Sequence, residues 1–121
     1  MENKKTLVLG ATTKPNRYAY LATTRLQENN IEVVPVGIRE GEINGEPILL
    51  GKPEVENIHT VTLYLNPQRQ EDYYDYILGL NPKRIIFNPG TENALLSKLA
   101  REKGIESVVG CTLVMLSLKN Y

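Results

Sequence analysis

Short apolar runs alternate along the chain with longer segments in which apolar residues recur every three or four positions. Runs of the first kind are typical of buried strands, and segments of the second kind are typical of helices that cover a sheet. We predict strands over residues 6–9, 31–36, 60–65, 84–87 and 105–109. Helices between them would connect parallel strands, because a parallel pair requires a long crossover.

The first helix is predicted over residues 17–28. Asn16 is placed as its N-cap, and the spacing of Ala19, Ala22 and Leu26 puts these three side chains on the side that faces the sheet.

The second helix is the most clearly amphipathic segment. Asn66 supplies an N-cap and Pro67 the first helical residue, where a missing N–H costs nothing. Its apolar side follows the spacing i, i+3, i+4 and i+7. The residues on that side are Tyr73, Tyr76, Ile77 and Leu80.

A third helix is predicted from Leu95, Leu96 and Leu99, with Gly104 as its left-handed terminator. Residues 113–118 are apolar except for one serine, and periodicity leaves a closing helix and a closing strand equally open.

Residues 37–58 interrupt the alternation, because they are rich in glycine and proline and lack a helical period. Asn44 and Gly45 predict a small hairpin with a type I′ turn. One helical turn is predicted over residues 53–57.

The pattern predicts an α/β chain with a Rossmann-like three-layer fold. We expect one domain over residues 1–121, with a five-stranded, mostly parallel sheet of order 3-2-1-4-5 and helices on both faces. We further expect the strand over residues 84–87 to lie beside the first strand, across the point where the strand order reverses.

Composition limits the function. The 14 basic and 14 acidic residues cancel, which argues against nucleic acid or an anionic membrane as a partner. The single cysteine excludes an internal disulfide, we expect no signal peptide, and no apolar run reaches the about 20 residues that span a bilayer. A reducing cytoplasm is the expected location. The single histidine, His59, disfavours metal or histidine-based catalysis, and we expect neither a metal site nor catalytic residues.

Ligands of such sheets bind beyond the carboxyl ends of the strands. Residues 10–18 follow the first strand, where Gly10 permits close backbone approach and Lys14 and Arg17 add charge near free N–H groups of the helix start. This loop predicts a pyrophosphate site, and a plain turn with solvated lysine and arginine is the alternative.

Two further loops face the same edge. Asn88, Pro89 and Gly90 follow the fourth strand and suit either a ligand contact or a plain turn. Gly37 and Arg39 follow the second strand, where an NAD enzyme usually places an acidic residue. A phosphorylated ribose, as in coenzyme A (CoA) or NADP, fits a basic residue better.

Five segments together resemble the small stand-alone CoA-binding proteins related to the CoA-binding domain of succinyl-CoA synthetase and other acyl-CoA synthetases. They are VLGATTKPNRY from residue 8, VVPVG from residue 33, EGEING from residue 40, TVTLYLNP from residue 60 and FNPGTEN from residue 87. The resemblance implies that CoA phosphates bind at the first loop, and that the residues after the second, third and fourth strands contact the cofactor. With Asn16 and Arg39 added from the loops, the predicted cofactor contacts are Gly10, Ala11, Thr12, Lys14, Asn16, Arg17, Val36, Gly37, Arg39, Leu65, Asn66, Asn88, Pro89 and Gly90.

Three functions follow as hypotheses. The first is a non-catalytic module that binds CoA or an acyl-CoA as a carrier, sensor or accessory subunit, and a homo-oligomer is compatible with it. The second is an NAD(P)-binding oxidoreductase or redox sensor. The third is a subunit that completes an acyl-CoA synthetase in trans, since the chain lacks the phosphorylated histidine domain and ATP-grasp unit of the synthetases.

Cys111 carries two interpretations. It follows the last strand and is placed to form a mixed disulfide with the CoA thiol if it lies near the ligand, or it is a small buried apolar residue.

Overall fold

The computed structural model describes residues 3–121, so the first two residues of the domain predicted over 1–121 lie outside it. The strands are β1 (Thr6–Leu9), β2 (Val33–Gly37), β3 (Glu42–Ile43), β4 (Glu46–Pro47), β5 (Leu49–Leu50), β6 (Thr60–Leu63), β7 (Arg84–Phe87) and β8 (Glu106–Val109). The helices are α1 (Tyr18–Glu28), α2 (Pro67–Gln70), α3 (Tyr74–Gly79), α4 (Ala94–Glu102) and α5 (Thr112–Ser117).

The main sheet is parallel and has the order β5-β2-β1-β6-β7-β8. The Rossmann-like α/β prediction is confirmed, but the sheet has six strands rather than five, because Leu49–Leu50 pairs with the end of β2. The predicted position of residues 84–87 is also wrong. The neighbour of β1 across the reversal is β6, and β7 lies one strand further out.

Every residue of β1, β2, β6 and β7 is buried, as expected for central parallel strands that are covered on both faces. Alternate side chains serve two apolar layers. Leu7 and Leu9 pack with Ile77 of α3 and Leu96 of α4. Val8 packs on the other face with apolar residues of α1, the hairpin and α5. This arrangement gives the predicted three layers.

Helix α1 begins one residue later than predicted, and Asn16 is not its N-cap. Arg17 occupies that position in an extended conformation and makes no side-chain cap hydrogen bond. The reason is a turn in which the Arg17 N–H donates to the Lys14 carbonyl at 3.1 Å. The predicted inward positions Ala19, Ala22 and Leu26 are buried, which confirms the predicted apolar side of the helix.

The segment predicted as the second helix is divided into α2, a 3-10 turn (Glu71–Tyr73) and α3. Asn66 caps α2 as predicted, with its side-chain oxygen 2.9 Å from the Arg69 backbone nitrogen. Tyr73 has φ −108° and ψ 0°, which separates the turn from α3. Ile77 is nonetheless fully buried.

The hairpin prediction is confirmed. Strands β3 and β4 pair antiparallel, and both turn residues have positive φ, 48° at Asn44 and 88° at Gly45. The predicted helical turn over residues 53–57 is wrong. This segment is irregular, and the Tyr76 hydroxyl holds it by donating to the Pro53 carbonyl at 2.6 Å.

The last third of the chain follows the prediction in outline. Gly104 ends α4 with φ 77°. Of the leucines from which this helix was predicted, Leu96 is fully buried whereas Leu95 is 55% exposed. The open choice for residues 113–118 is decided in favour of a helix, α5.

Candidate functional site

The candidate site is the carboxyl edge of the sheet where β1 and β6 lie side by side. The chain leaves β1 toward β2 on one side, and it returns later to place β6 on the other side, so the order reverses between them. The loops that follow β1 and β6 lead to helices on opposite faces of the sheet, and this is the place where ligands of such sheets bind. We call this edge the crevice, and its loops are residues 10–17, 37–39, 64–66 and 88–91.

Gly10 brings the first loop against the loop after β6. It has φ +102°, and a Cβ atom built there would lie 3.0 Å from the Tyr64 carbonyl carbon and 3.2 Å from Leu65 Cδ2. The Tyr64 N–H also donates to the Leu9 carbonyl at 2.9 Å. Only glycine permits both the backbone conformation and the close approach.

Gly37 brings the end of β2 against the same first loop. A Cβ atom at Gly37 would come under 3.0 Å from the Ala11 carbonyl oxygen. The N–H groups of Gly10 and Ala11 both donate to the Val36 carbonyl at 2.9 Å. The structure thus joins four of the predicted contact residues, from two separate segments, at one place.

The start of α1 at this edge is uncapped. The first intrahelical bond runs from the Leu21 N–H to the Arg17 carbonyl, and among residues 3–121 the N–H groups of Tyr18, Ala19 and Tyr20 have no partner. Free N–H groups and the helix dipole together favour an anion. Lys14 and Arg17 are exposed beside this helix start.

The three basic residues near the crevice form no ion pair within the described part of the chain. These residues are Lys14, Arg17 and Arg39, and all three are exposed. Their charges are therefore available to a phosphorylated ligand. Five other predicted contact positions, Thr12, Asn16, Asn66, Pro89 and Gly90, are partly or fully exposed on the same loops.

Asn88 differs from the other predicted contacts, because its side chain is turned inward and is 1% exposed. Its Nδ2 donates to Thr62 Oγ1 at 2.6 Å and to the Leu63 carbonyl at 2.8 Å. Its Oδ1 accepts from the Thr112 N–H at 2.9 Å. The side chain joins β6, β7 and α5, so a ligand contact from this loop falls to the exposed Pro89 and Gly90.

Gln70, which the sequence analysis did not single out, lies in a second buried polar network. Its side chain is 0% exposed, and Nε2 donates to the Leu65 and Thr91 carbonyls at 2.8 Å each. Asn93 Nδ2 donates to Gln70 Oε1 at 2.8 Å. In sequence Gln70 belongs to a polar run that is typical of a solvated helix end, so no local signal marks it.

Tyr64 carries a buried hydroxyl that has no hydrogen-bond partner among the described residues. It lies on the α1 and α5 face, close to the hydroxyls of Thr62 and Thr112, which pair with one another at 2.7 Å. Burial raises the pKa of Tyr64 well above its usual value.

Cys111 and His59 lie in different places. Cys111 is half-buried and directly precedes α5 at the carboxyl edge. His59 directly precedes β6 at the amino edge, where Nδ1 is 2.7 Å from Thr60 Oγ1. Two concavities also open at that opposite edge, one lined by Lys5, Pro53 and Tyr76 and the other by Lys4, Leu116 and Tyr121, away from the predicted contacts.

The described residues, 3–121, carry neither a metal-binding cluster nor a membrane-spanning helix. No cluster of three or more histidine, cysteine, aspartate or glutamate side chains is arranged to hold a metal ion there. Each helix in that range falls short of the length and apolar character that a membrane crossing demands.

Residues 4–117 match the model of a protein family described as a CoA binding domain. The chain belongs to this family of CoA-binding domains. The match covers all strands and helices of the structure, including every loop of the crevice. Among curated proteins, none matches the chain significantly.

Solved structures give the same fold. The CoA-binding domain is 55% identical to an uncharacterized protein of known crystal structure, over 100% of both chains, with a TM-score of 0.96. A hypothetical protein from Pyrococcus horikoshii OT3 is 25% identical over 98% of this chain and 84% of that chain, with a TM-score of 0.86. A Thermus thermophilus protein is 23% identical over 98% and 91%, with a TM-score of 0.87, and this likeness concerns the fold alone.

Proposed function

We propose that this chain binds CoA or an acyl-CoA in the crevice and acts there as a binding module without turnover of its own. The observation that carries the proposal is the uncapped start of α1, which lies at the strand reversal beside Lys14 and Arg17. A pyrophosphate at this position would accept hydrogen bonds from the free N–H groups and would lie beside two positive charges.

The adenosine end of the ligand is assigned to the end of β2. Gly37 leaves this edge without a side chain, and exposed Arg39 follows it without an ion pair in the described part of the chain. A ribose that carries a phosphate suits a basic residue here, whereas the ribose hydroxyls of NAD are usually held by an acidic one.

The non-catalytic role rests on the surroundings of the crevice. The acidic residues Glu71 and Asp72 are exposed in the turn between α2 and α3, and Asp75 is exposed on α3. His59 lies at the amino edge of the sheet. A carrier, a sensor or an accessory subunit in a reducing cytoplasm is the role that we propose.

The second candidate is NADP binding, because Arg39 and the first loop suit its phosphates equally. Calorimetric titration of the ligand-free protein with CoA, acetyl-CoA, NADP, NADPH and NAD separates the two. CoA binding in the micromolar range or tighter supports the proposal. Binding of NADP or NADPH alone would replace it with a redox function, and binding of none of the five would overturn both.

The binding position is tested with Lys14→Ala and Arg17→Ala. Each should weaken CoA binding by roughly tenfold, which corresponds to about 1.4 kcal/mol. Arg25→Ala is the matched control, because this substitution removes the same charge from the far end of α1. Arg25 forms only an exposed ion pair, with Glu28 at 3.7 Å. Equal effects of all three substitutions would place the phosphates elsewhere.

A subunit that completes an acyl-CoA synthetase in trans is a further role for the same site. Co-purification with an ATP-grasp protein would support that role. CoA affinity that is unchanged by any such partner would count against it.

A further inference from the structure

We infer that Gln70 is a positioning residue for the crevice. Its side chain holds the loop after β6 and the loop after β7 at a fixed separation. The inference rests on the proposed function, because it concerns the affinity of the same crevice for CoA. Gln70 is not itself one of the predicted cofactor contacts. It acts through two backbone carbonyls, those of Leu65 and Thr91.

The geometry leaves this side chain no alternative partners. Both Nε2 hydrogens are used at 2.8 Å, one on each loop, and Oε1 accepts from Asn93 at 2.8 Å. The side chain is fully buried, so water cannot replace these bonds without opening the structure. A single amide therefore connects two segments that are 26 positions apart, Leu65 and Thr91.

The network continues to the phosphate side of the crevice. Leu65 Cδ2 lies against Gly10, 3.2 Å from the place where a Cβ atom of that residue would stand. On the other side, Asn93 caps α4 through the Leu96 N–H at 3.1 Å and donates to the Tyr74 hydroxyl at 2.8 Å. A shift of Gln70 would move Leu65 relative to Gly10, and hence the two walls of the crevice.

The test compares Gln70→Met with Thr60→Val. Methionine keeps the length and flexibility of glutamine but donates no hydrogen bond. Thr60 is equally buried and accepts from Arg84 Nε at 2.8 Å, but it lies at the opposite end of β6 from the crevice. Both variants lose buried hydrogen bonds, and only one of them is connected to the loops.

We expect Gln70→Met to bind CoA at least tenfold more weakly than wild type, and Thr60→Val to bind within threefold. In the ligand-free protein, backbone amides of the two loops should exchange hydrogen faster in Gln70→Met but not in Thr60→Val. An unchanged CoA affinity of folded Gln70→Met would overturn the inference. So would a loss of CoA affinity in both variants that is proportional to their loss of stability.

Asn93→Ser decides the question if Gln70→Met does not fold. Serine retains the N-cap acceptor of α4 but removes the amide that orients Gln70. We expect at least threefold weaker CoA binding and faster loop exchange, and wild-type values for both would overturn the inference. If the wild-type protein binds no CoA, the proposed function fails, and loop exchange still shows whether Gln70 couples the two loops.

Discussion

The carbonyl oxygen of Ala11 lies directly against the α-carbon of Gly37, so close that a Cβ atom at Gly37 would approach it to under 3.0 Å. Both partners are held in place, because the Ala11 N–H donates to the Val36 carbonyl at 2.9 Å and Gly37 is the last residue of β2. This contact fixes the first loop over the end of the second strand.

Gly37→Ala should therefore displace the first loop. We expect it to lower the free energy of unfolding by about 1–3 kcal/mol, the usual cost of forcing a methyl group into a packed place, and to weaken CoA binding. Urea denaturation and calorimetric titration measure the two effects. Gly79→Ala is the control, since nothing lies within 4 Å of its Cβ position and it should be neutral or stabilising by about 0.5 kcal/mol. Equal stability of both variants would contradict the contact.

Arg39 should distinguish CoA from dephospho-CoA, which lacks the ribose phosphate. Arg39→Ala is expected to weaken CoA binding by roughly fivefold, or about 1 kcal/mol, and to leave dephospho-CoA binding unchanged. Parallel titrations of both ligands check this. Lys103→Ala, which removes an exposed charge after α4, serves as the control. A loss of the same size for both ligands would show that Arg39 does not contact the ribose phosphate.

Asn88→Asp should be strongly destabilising, although the two side chains have almost the same shape. The carboxylate would lose both donors, to Thr62 and Leu63, and would place a charge at a site that is 1% exposed. We expect a loss of at least about 3 kcal/mol near neutral pH.

The pH dependence of that loss has a defined sign. Burial raises the pKa of an aspartic acid above its unfolded value of about 3.9. The neutral acid is the better tolerated form, so the deficit against wild type should shrink as the pH falls through the raised pKa. Asn120→Asp, at an exposed position, should show neither effect in the same denaturation series.

Tyr64 and Tyr121 should respond oppositely to loss of their hydroxyls. The Tyr64 hydroxyl is buried without a partner in the described chain, so Tyr64→Phe should be neutral or stabilising. The Tyr121 hydroxyl is 2.6 Å from Thr6 Oγ1, so Tyr121→Phe should cost about 1 kcal/mol. Thermal or urea unfolding checks the order, and a larger loss for Tyr64→Phe would indicate a partner for its hydroxyl.

The same two tyrosines predict the behaviour of the protein in alkali. Burial raises the pKa of each above the usual value of 10.0. These two groups should therefore leave stability independent of pH below about pH 10, and stability should fall as the pH rises further, because the unfolded chain releases their protons first. Tyrosinate absorbance should show a late group among the 7 tyrosines, and Tyr64→Phe should reduce that group. Titration of all tyrosines together, with the protein still folded, would contradict this.

Much of the local structure could be predicted because its causes are local. Asn66 and Pro67 favour a helix start by their own chemistry, and Asn44 and Gly45 favour the type I′ turn in the same way. The N-cap of α1 was predicted one residue too early, because the turn from Lys14 to Arg17 competes with the side chain of Asn16.

The candidate site was predicted in part. Gly10 was predicted to permit close backbone approach to a ligand and Gly37 to contact the cofactor. The structure shows that each also packs against a protein neighbour far away in sequence, Tyr64 for Gly10 and Ala11 for Gly37. Asn88 was recognised as a polar residue at the end of a strand, but only the structure shows that its side chain is bonded inward. Gln70 was missed, because a buried glutamine and a solvated one look alike in sequence.

The sequence by itself determined the class of fold, because the spacing of apolar residues and the preferences of turn residues act over only a few positions of the chain. Only the tertiary structure decided that β6 rather than β7 lies beside β1 and that the short β5 extends the sheet, because backbone pairing between distant strands leaves little trace in either one. The same holds for the bonds from Gln70 to Leu65 and Thr91. Their energy depends on burial and on the meeting of two loops, and both arise only when the whole chain has folded.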